Sequence, residues 1–224
     1  MRARPTFLLG PLAAAALLVA CSSGSDAPPS TTKQPTTTAT TTASTSTTKT
    51  TTPPASARVL GPADVGEGWV ADAYDPAEVG SPCGTTNTDE LIPPKAKVGM
   101  VAVAKAKDGR AQEDVRSYAD ASTAGRAYDS LLSEVDCPSG SVPDGQGGSI
   151  ALTIGPTAAV TSLGPKVDQA AKKEISAAGF QGRSLIAQVG SDVVIVQIMQ
   201  PDGATTPTPS IESLAKQAID RLGS

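Results

Sequence analysis

Between Ser122 and Asp136, apolar residues fall at Ala124, Ala127, Tyr128, Leu131, Leu132 and Val135, the spacing of one helical face. Ser122 or Thr123 can cap its start, and Pro138 follows its end. The same repeat returns at Ile211, Leu214, Ala215, Ala218, Ile219 and Leu222, predicting a second helix from about Thr208, where Thr208-Pro209 supplies a cap and a first-turn proline. Elsewhere the period shortens to two. Val98 to Ala106 alternates Val, Met and Ala with small or charged residues, and Asp108-Gly109 offers a turn into a strand over Asp114 to Ala119. Ser149 to Ile154 and Ala171 to Ser176 predict two more strands. Arg183 to Val189 and Asp192 to Gln200 flank Gly190-Ser191 as a second hairpin. Val193-Val194-Ile195-Val196 is almost continuously apolar, which predicts a central strand covered on both faces. The fold class expected is α+β: a single domain with a mostly antiparallel, twisted sheet packed by two main helices.

That domain spans residues 58–224. The composition changes abruptly at Arg58-Val59-Leu60, and the chain beyond is of a size that one core can serve. Upstream, Ser22 to Ala57 is dominated by threonine and contains no aliphatic residue larger than alanine. Such a segment cannot bury enough apolar surface to offset the entropy of ordering it, so 21–57 reads as a tether. Its typical span as a coil is about 30–35 Å.

Before the tether, Arg2 and Arg4 precede an uncharged apolar run from Phe7 to Ala20. This is the layout of a secretory signal over residues 1–20, and the run falls short of the roughly 20 residues of a spanning helix. Leu18-Val19-Ala20-Cys21 resembles the bacterial lipobox, in which the cysteine thiol receives a diacylglyceryl group. The resemblance implies a chain lipidated at Cys21, a palmitate-bearing lipoprotein held on the outer side of the cell membrane. Two or three acyl chains bury many CH₂ groups at about 0.8 kcal/mol each, which makes such an anchor stable.

Charge and composition narrow the function. Removing residues 1–20 takes two arginines and no acid, leaving 16 basic and 22 acidic residues and a net charge of −6. No basic stripe points to nucleic acid as a partner. Histidine is absent, which removes the commonest general base and transition-metal ligand. Aromatic content is low, which disfavours a stacking platform for bases or sugars. With Cys21 assigned to lipid, Cys83 and Cys137 form an even pair in an oxidising compartment, and a disulfide between them is expected; two free buried thiols are the alternative.

Candidate chemistry is sparse. Ser213-Leu214-Ala215-Lys216 matches Ser-x-x-Lys of penicillin-binding enzymes, but Lys-Thr-Gly is missing and Ser-Asp-Asn is only half echoed at Ser191-Asp192-Val193. Gly145-Gln146-Gly147-Gly148 lacks the lysine and helix start of a phosphate cradle. No calcium loop is present; Asp114, Asp120 and Asp129 could approach one another, and solvated faces explain them equally well. Trp69 suits a plug on the core better than a ligand contact, and Arg126 suits either an anion or solvent. No catalytic residue, metal ligand or cofactor site is assigned, and the domain reads as non-enzymatic.

Leu60-x-x-Ala63-Asp64-x-x-x-Gly68-Trp69, the stretch Ser122 to Cys137, Leu163-Gly164, Arg183 followed by Val189-Gly190-Ser191-Asp192-Val193-Val194, and the closing helix Ile211 to Leu222 together resemble the PknH-like extracellular sensor domains of mycobacterial receptor kinases. Those domains carry two disulfides, and only one cysteine pair is available here. The resemblance implies an α/β sandwich-like domain with a cleft, an actinobacterial cell envelope, and binding of an unidentified extracellular small molecule or envelope protein. Its cleft residues are not legible in the sequence. A lipid or glycolipid carrier is the competing expectation, and it requires a large apolar cavity.

Overall fold

The computed structural model describes residues 59–74, 81–104, 109–143 and 148–222. The expected signal segment, Cys21, the tether and Gly145 to Gly147 lie outside the described residues.

The described residues open with a single turn of helix, α1 (Pro62–Val65), where Pro62 pre-sets the first helical φ and the Asp64 carboxylate accepts from the Gly61 N–H. An edge strand β1 (Trp69–Asp72) follows. The short helix α2 (Thr88–Leu91) is capped by Asn87, whose side chain accepts from the Asp89 N–H. Strands β2 (Ala96–Ala104) and β3 (Arg110–Ser117) pair as the first expected hairpin. Helix α3 (Ala121–Ser133) starts one residue before Ser122, and its cap is Asp120 rather than Ser122 or Thr123. The reason is conformational: Asp120 is extended at φ −160°, so its carboxylate reaches the Thr123 N–H at 2.7 Å.

The second half supplies β4 (Ser139–Pro143), β5 (Ser149–Ile154), a two-residue β6 (Ala158–Ala159), β7 (Gln169–Ala177), β8 (Phe180–Val189), β9 (Asp192–Pro201) and α4 (Ile211–Leu222). Gly179 at φ 82° and Gly190 at φ 57° turn β7 into β8 and β8 into β9. Helix α4 begins three residues later than expected from Thr208, and the Ser210 hydroxyl accepts from the Ser213 N–H in place of a Thr208 cap.

These strands form one antiparallel sheet in the order β1-β2-β3-β9-β8-β7-β5-β4, with β6 paired to β7. The fold is α+β, as the patterning predicts. The expected central strand, β9, has β3 and β8 on its two sides. Alternation sends Val194, Val196 and Ile198 to one face with Leu185 and Ala187 of β8, where Ile211, Leu214, Ala215, Ala218 and Ile219 of α4 cover them. Val193, Ile195 and Ile186 point to the opposite face, under Ala124, Ala127, Tyr128 and Leu131 of α3. The two main helices therefore pack on opposite faces of the same strands, each burying the stripe its sequence displays.

Polar groups fix each helix to its face. Under the start of α3, the buried Gln188 donates to Ala121 O at 2.8 Å and Gly190 O at 3.2 Å, and accepts from Gln169 at 2.8 Å. Beyond its end, the buried Lys173 ammonium donates to Val135 O at 2.7 Å and Asp136 Oδ1 at 2.8 Å. A cation there complements the carbonyl end of the helix. That bond is also the main reason the Asp136 carboxyl lies below its ordinary range. The adjacent Cys137 is bonded to Cys83, with 5.8 Å between the Cα atoms, so the expected disulfide is present. Across the sheet, Arg221 in the last turn of α4 donates to Val59 O and to both Asp64 carboxylate oxygens, each at 2.7 Å. This clasps the start of the domain to its end.

Glu113 sits under that clasp, fully buried on the α4 side of β3. The Leu60 N–H donates to its Oε2 at 2.6 Å, and its Oε1 has no hydrogen-bond partner among the described residues. Burial pushes its pKa up to about 7; the Leu60 bond and Arg221 pull it back, while Asp114 and Asp64 push it further.

Two outcomes follow from these contacts. Replacing Cys83 and Cys137 by serine opens a loop with a sequence separation of 54, and the expected loss is about 4 kcal/mol in the chain-entropy account. Urea unfolding measures it, and an unchanged midpoint would contradict it. For Glu113, the folded state between pH 4.5 and about 7 retains a proton that the unfolded chain releases. Its contribution to stability therefore falls as pH rises through that window and is flat above it. Glu113→Gln keeps an acceptor for Leu60 and cannot ionise. It is expected to stabilise the domain at pH 8 by on the order of 3 kcal/mol, with the gain shrinking towards pH 5. A gain that does not change with pH would refute the assignment.

Candidate functional site

Helix α4 covers only part of its face of the sheet, and a groove of about 370 Å³ opens beside it. Alternation along β7, β8 and β9 brings Glu174, Arg183, Gln181, Ile198 and Gln200 to this one surface. Ile198 lies on the floor, 2% exposed, and Arg183 stands half-buried beside it. Glu174 bounds one side, and the segment Pro201–Asp202–Gly203–Ala204 bounds the other. A smaller depression of about 250 Å³ shares Glu174 and Gln181 and continues towards Thr153 on β5.

The wall is held by the strand it leaves. Asp202 N–H donates to Gly179 O at 2.9 Å, and Gly203 at φ 78° makes the turn. The Gln200 amide donates to Thr206 O at 3.0 Å and accepts from the Thr208 hydroxyl at 3.2 Å, drawing the segment back over the sheet. Pro207 and Pro209 lack the N–H groups that would need partners there. Next to the groove, Lys172 of β7 pairs with Glu212 in the first turn of α4 at 2.6 Å. The bond raises the Lys172 pKa and is the main cause that lowers that of Glu212, so both stay charged at neutral pH. Arg183 lies within electrostatic reach of both.

Arg183 and Glu174 face one another across the β7–β8 ladder. Directly opposed residues on one face have Cβ atoms roughly 5 Å apart. Yet among the described residues no hydrogen bond or ion pair holds either side chain. A half-buried guanidinium with five donors and no acceptor is suited to an anionic group.

The residues that the sequence singles out lie elsewhere. Trp69 is 5% exposed in the core under α4, and its indole N–H donates to Pro207 O at 3.4 Å. It serves as a plug and does not line the groove. Ser213 and Lys216 are exposed on α4, and Lys216 pairs with Asp220 at 3.0 Å. Arg126 and Asp129 are exposed on α3, while Asp120 caps that helix. Asp114 accepts from the Tyr74 hydroxyl at 2.5 Å and from Gln112 at 3.1 Å. Burial and that carboxylate raise the Tyr74 pKa above its ordinary value. Its ring covers Gly99, where a Cβ would collide with it. Asp114, Asp120 and Asp129 thus do three separate things, and the described residues contain no cluster of three metal-ligating side chains.

Sequence reasoning missed Lys172, Glu174, Gln181, Gln200 and Asp202. The available signal was the pair of charges at Lys172 and Glu174 within a strand, where alternation puts both on the face opposite Ala171.

No protein-family profile matches the chain, and no curated protein matches it. Among solved structures, the extracellular domain of PknH from Mycobacterium tuberculosis is similar, with a TM-score of 0.56 and 13% sequence identity, covering 75% of this chain and 94% of that one. The likeness is one of fold.

Proposed function

We propose that this chain is a lipid-anchored, non-catalytic binding module of the cell envelope, exposed on the outer side of the membrane, that holds a small ligand or a partner's side chain in the groove beside Arg183. The unpaired, half-buried guanidinium in a concave site carries the reading. Three further features support it. The fold resembles an extracellular domain of a kinase; Cys21 ends a signal-like segment; and a threonine-rich tether stands between that cysteine and the domain. Among the described residues no helix is long and apolar enough to cross a membrane; in this reading acyl chains on Cys21 supply the attachment. An actinobacterial envelope is the proposed setting.

A lipid or glycolipid carrier is the alternative. A carrier needs an apolar enclosure, whereas this groove is lined by Arg183, Glu174, Gln181, Gln200 and Asp202, with Ile198 as its apolar floor. Those side chains favour a small polar ligand.

Two experiments bear on the reading. Metabolic labelling with an alkyne analogue of palmitate is expected to tag the full chain and to leave Cys21→Ala unlabelled; a labelled variant would defeat the anchor assignment. For binding, fractions of an envelope extract are added to the detergent-solubilised full chain and to Ala204→Trp, which fills the groove. The expected outcome is a fraction that raises the Tm of the parent chain by a few degrees and leaves the variant unmoved. Equal shifts in both would remove the groove from the account, and a co-purifying lipid detected by native mass spectrometry would favour the carrier.

A further inference from the structure

The geometry points to a zwitterion as the groove's ligand: an amino acid or a short peptide whose carboxylate lies on Arg183 and whose ammonium lies on Glu174. This rests on the binding reading above and gives it a ligand class.

Charge selects the class. The fixed charges lining the groove are Arg183 on one side of the balance and Glu174 and Asp202 on the other. The neighbouring Lys172–Glu212 pair adds no net charge, although Lys172 lies within electrostatic reach of Glu174 and both members of the pair lie within reach of Arg183. A phosphate or sulfate would gain Arg183 and meet two carboxylates, so a dianion is repelled by the same surface that would hold it. A neutral polyol would leave the guanidinium without the charged, two-oxygen acceptor that its planar fork matches. A ligand carrying one carboxylate and one ammonium satisfies both walls at once.

Register sets the size. Glu174 and Arg183 are direct cross-strand partners on the same face, so the two anchoring side chains are rooted side by side, with Cβ atoms about 5 Å apart. Opposite charges rooted that close together suit a ligand whose own charged ends are near one another, as in an amino acid or dipeptide. The volume of about 370 Å³ is at the small end of ligand pockets, which run from about 300 to 1,000 Å³. Ile198 on the floor offers an apolar contact to an aliphatic side chain. Neither anchor is held by another described side chain, and any transient pairing between them at this exposure is worth about 0–1 kcal/mol, so a ligand displaces little.

Isothermal titration of the full chain in detergent, with alanine, alanyl-alanine, N-acetyl-alanyl-alanine, alanyl-alanine amide and inorganic phosphate as probes, tests the inference. Alanine or alanyl-alanine is expected to bind saturably, and whichever is tighter tells a free amino acid from a peptide. Removing the ammonium or the carboxylate is expected to weaken binding about tenfold or more, and phosphate is expected not to bind. Arg183→Gln should then abolish the penalty for losing the carboxylate, and Glu174→Gln the penalty for losing the ammonium. A purely structural role for either residue would shift the Tm and leave these penalties alike. Phosphate binding as tightly as the zwitterions overturns the proposal. So does absence of any zwitterion binding while an extract fraction still stabilises the parent chain and spares Ala204→Trp, an outcome that leaves the binding reading standing. If neither probes nor extract bind in an Ala204→Trp-sensitive way, both fall.

Discussion

Backbone pairing of β8 with β9 puts Leu185, Ala187, Val194 and Val196 on one side of the sheet and Ile186, Val193 and Ile195 on the other, and both sides have to be shielded from water. An antiparallel pair in an ordinary hairpin exposes one face. This pair cannot, because burying each Leu, Ile or Val among them is worth about 1.5–3 kcal/mol and none of these side chains is polar. The requirement places α3 over one row and α4 over the other, and it draws β3 and β7 alongside to complete the backbone hydrogen bonds.

The groove arises where that covering stops. Apolar residues end at Ile198 on the α4 side, and beyond it alternation delivers Arg183, Glu174, Gln181 and Gln200 to the same surface. Helix α4 has no apolar row left to bury there. Its first turn is held at this boundary by Glu212 on Lys172, and Gln200 folds the preceding segment into a wall. The polar lining of the groove and the core packing thus share three strands and divide them by position along the strand. The other cost of the arrangement is Glu113, a carboxyl kept dry to hold Leu60 where the domain begins.

Most of the helices and strands were legible because their periodicity is set by the same burial. Ile211 to Leu222 and Ala124 to Leu131 repeat at helical spacing, and both helices bury the residues that the repeat marks. Element ends were less legible, since Asp120 caps α3 through its extended backbone and a conformation is not a residue type. Strand β1 and helix α2 were missed for a related reason. Residues 70–72 of β1 are exposed, and α2 is a single capped turn, so neither displays a stripe. The pairing of Cys83 with Cys137 followed from parity once Cys21 was set apart, with the two free thiols now set aside.

What the sequence determined by itself was the α+β class, the doubly covered strand, the two helical faces and the disulfide, together with the expectation of an anchored, tethered domain. Each of these is written in local periodicity, composition or cysteine count. Only the tertiary structure decided which face each helix takes and that Arg183 stands opposite Glu174 beside Ile198. Those residues are separated along the chain and meet through antiparallel register, and register is fixed by the burial of the whole sheet. No single segment carries that information.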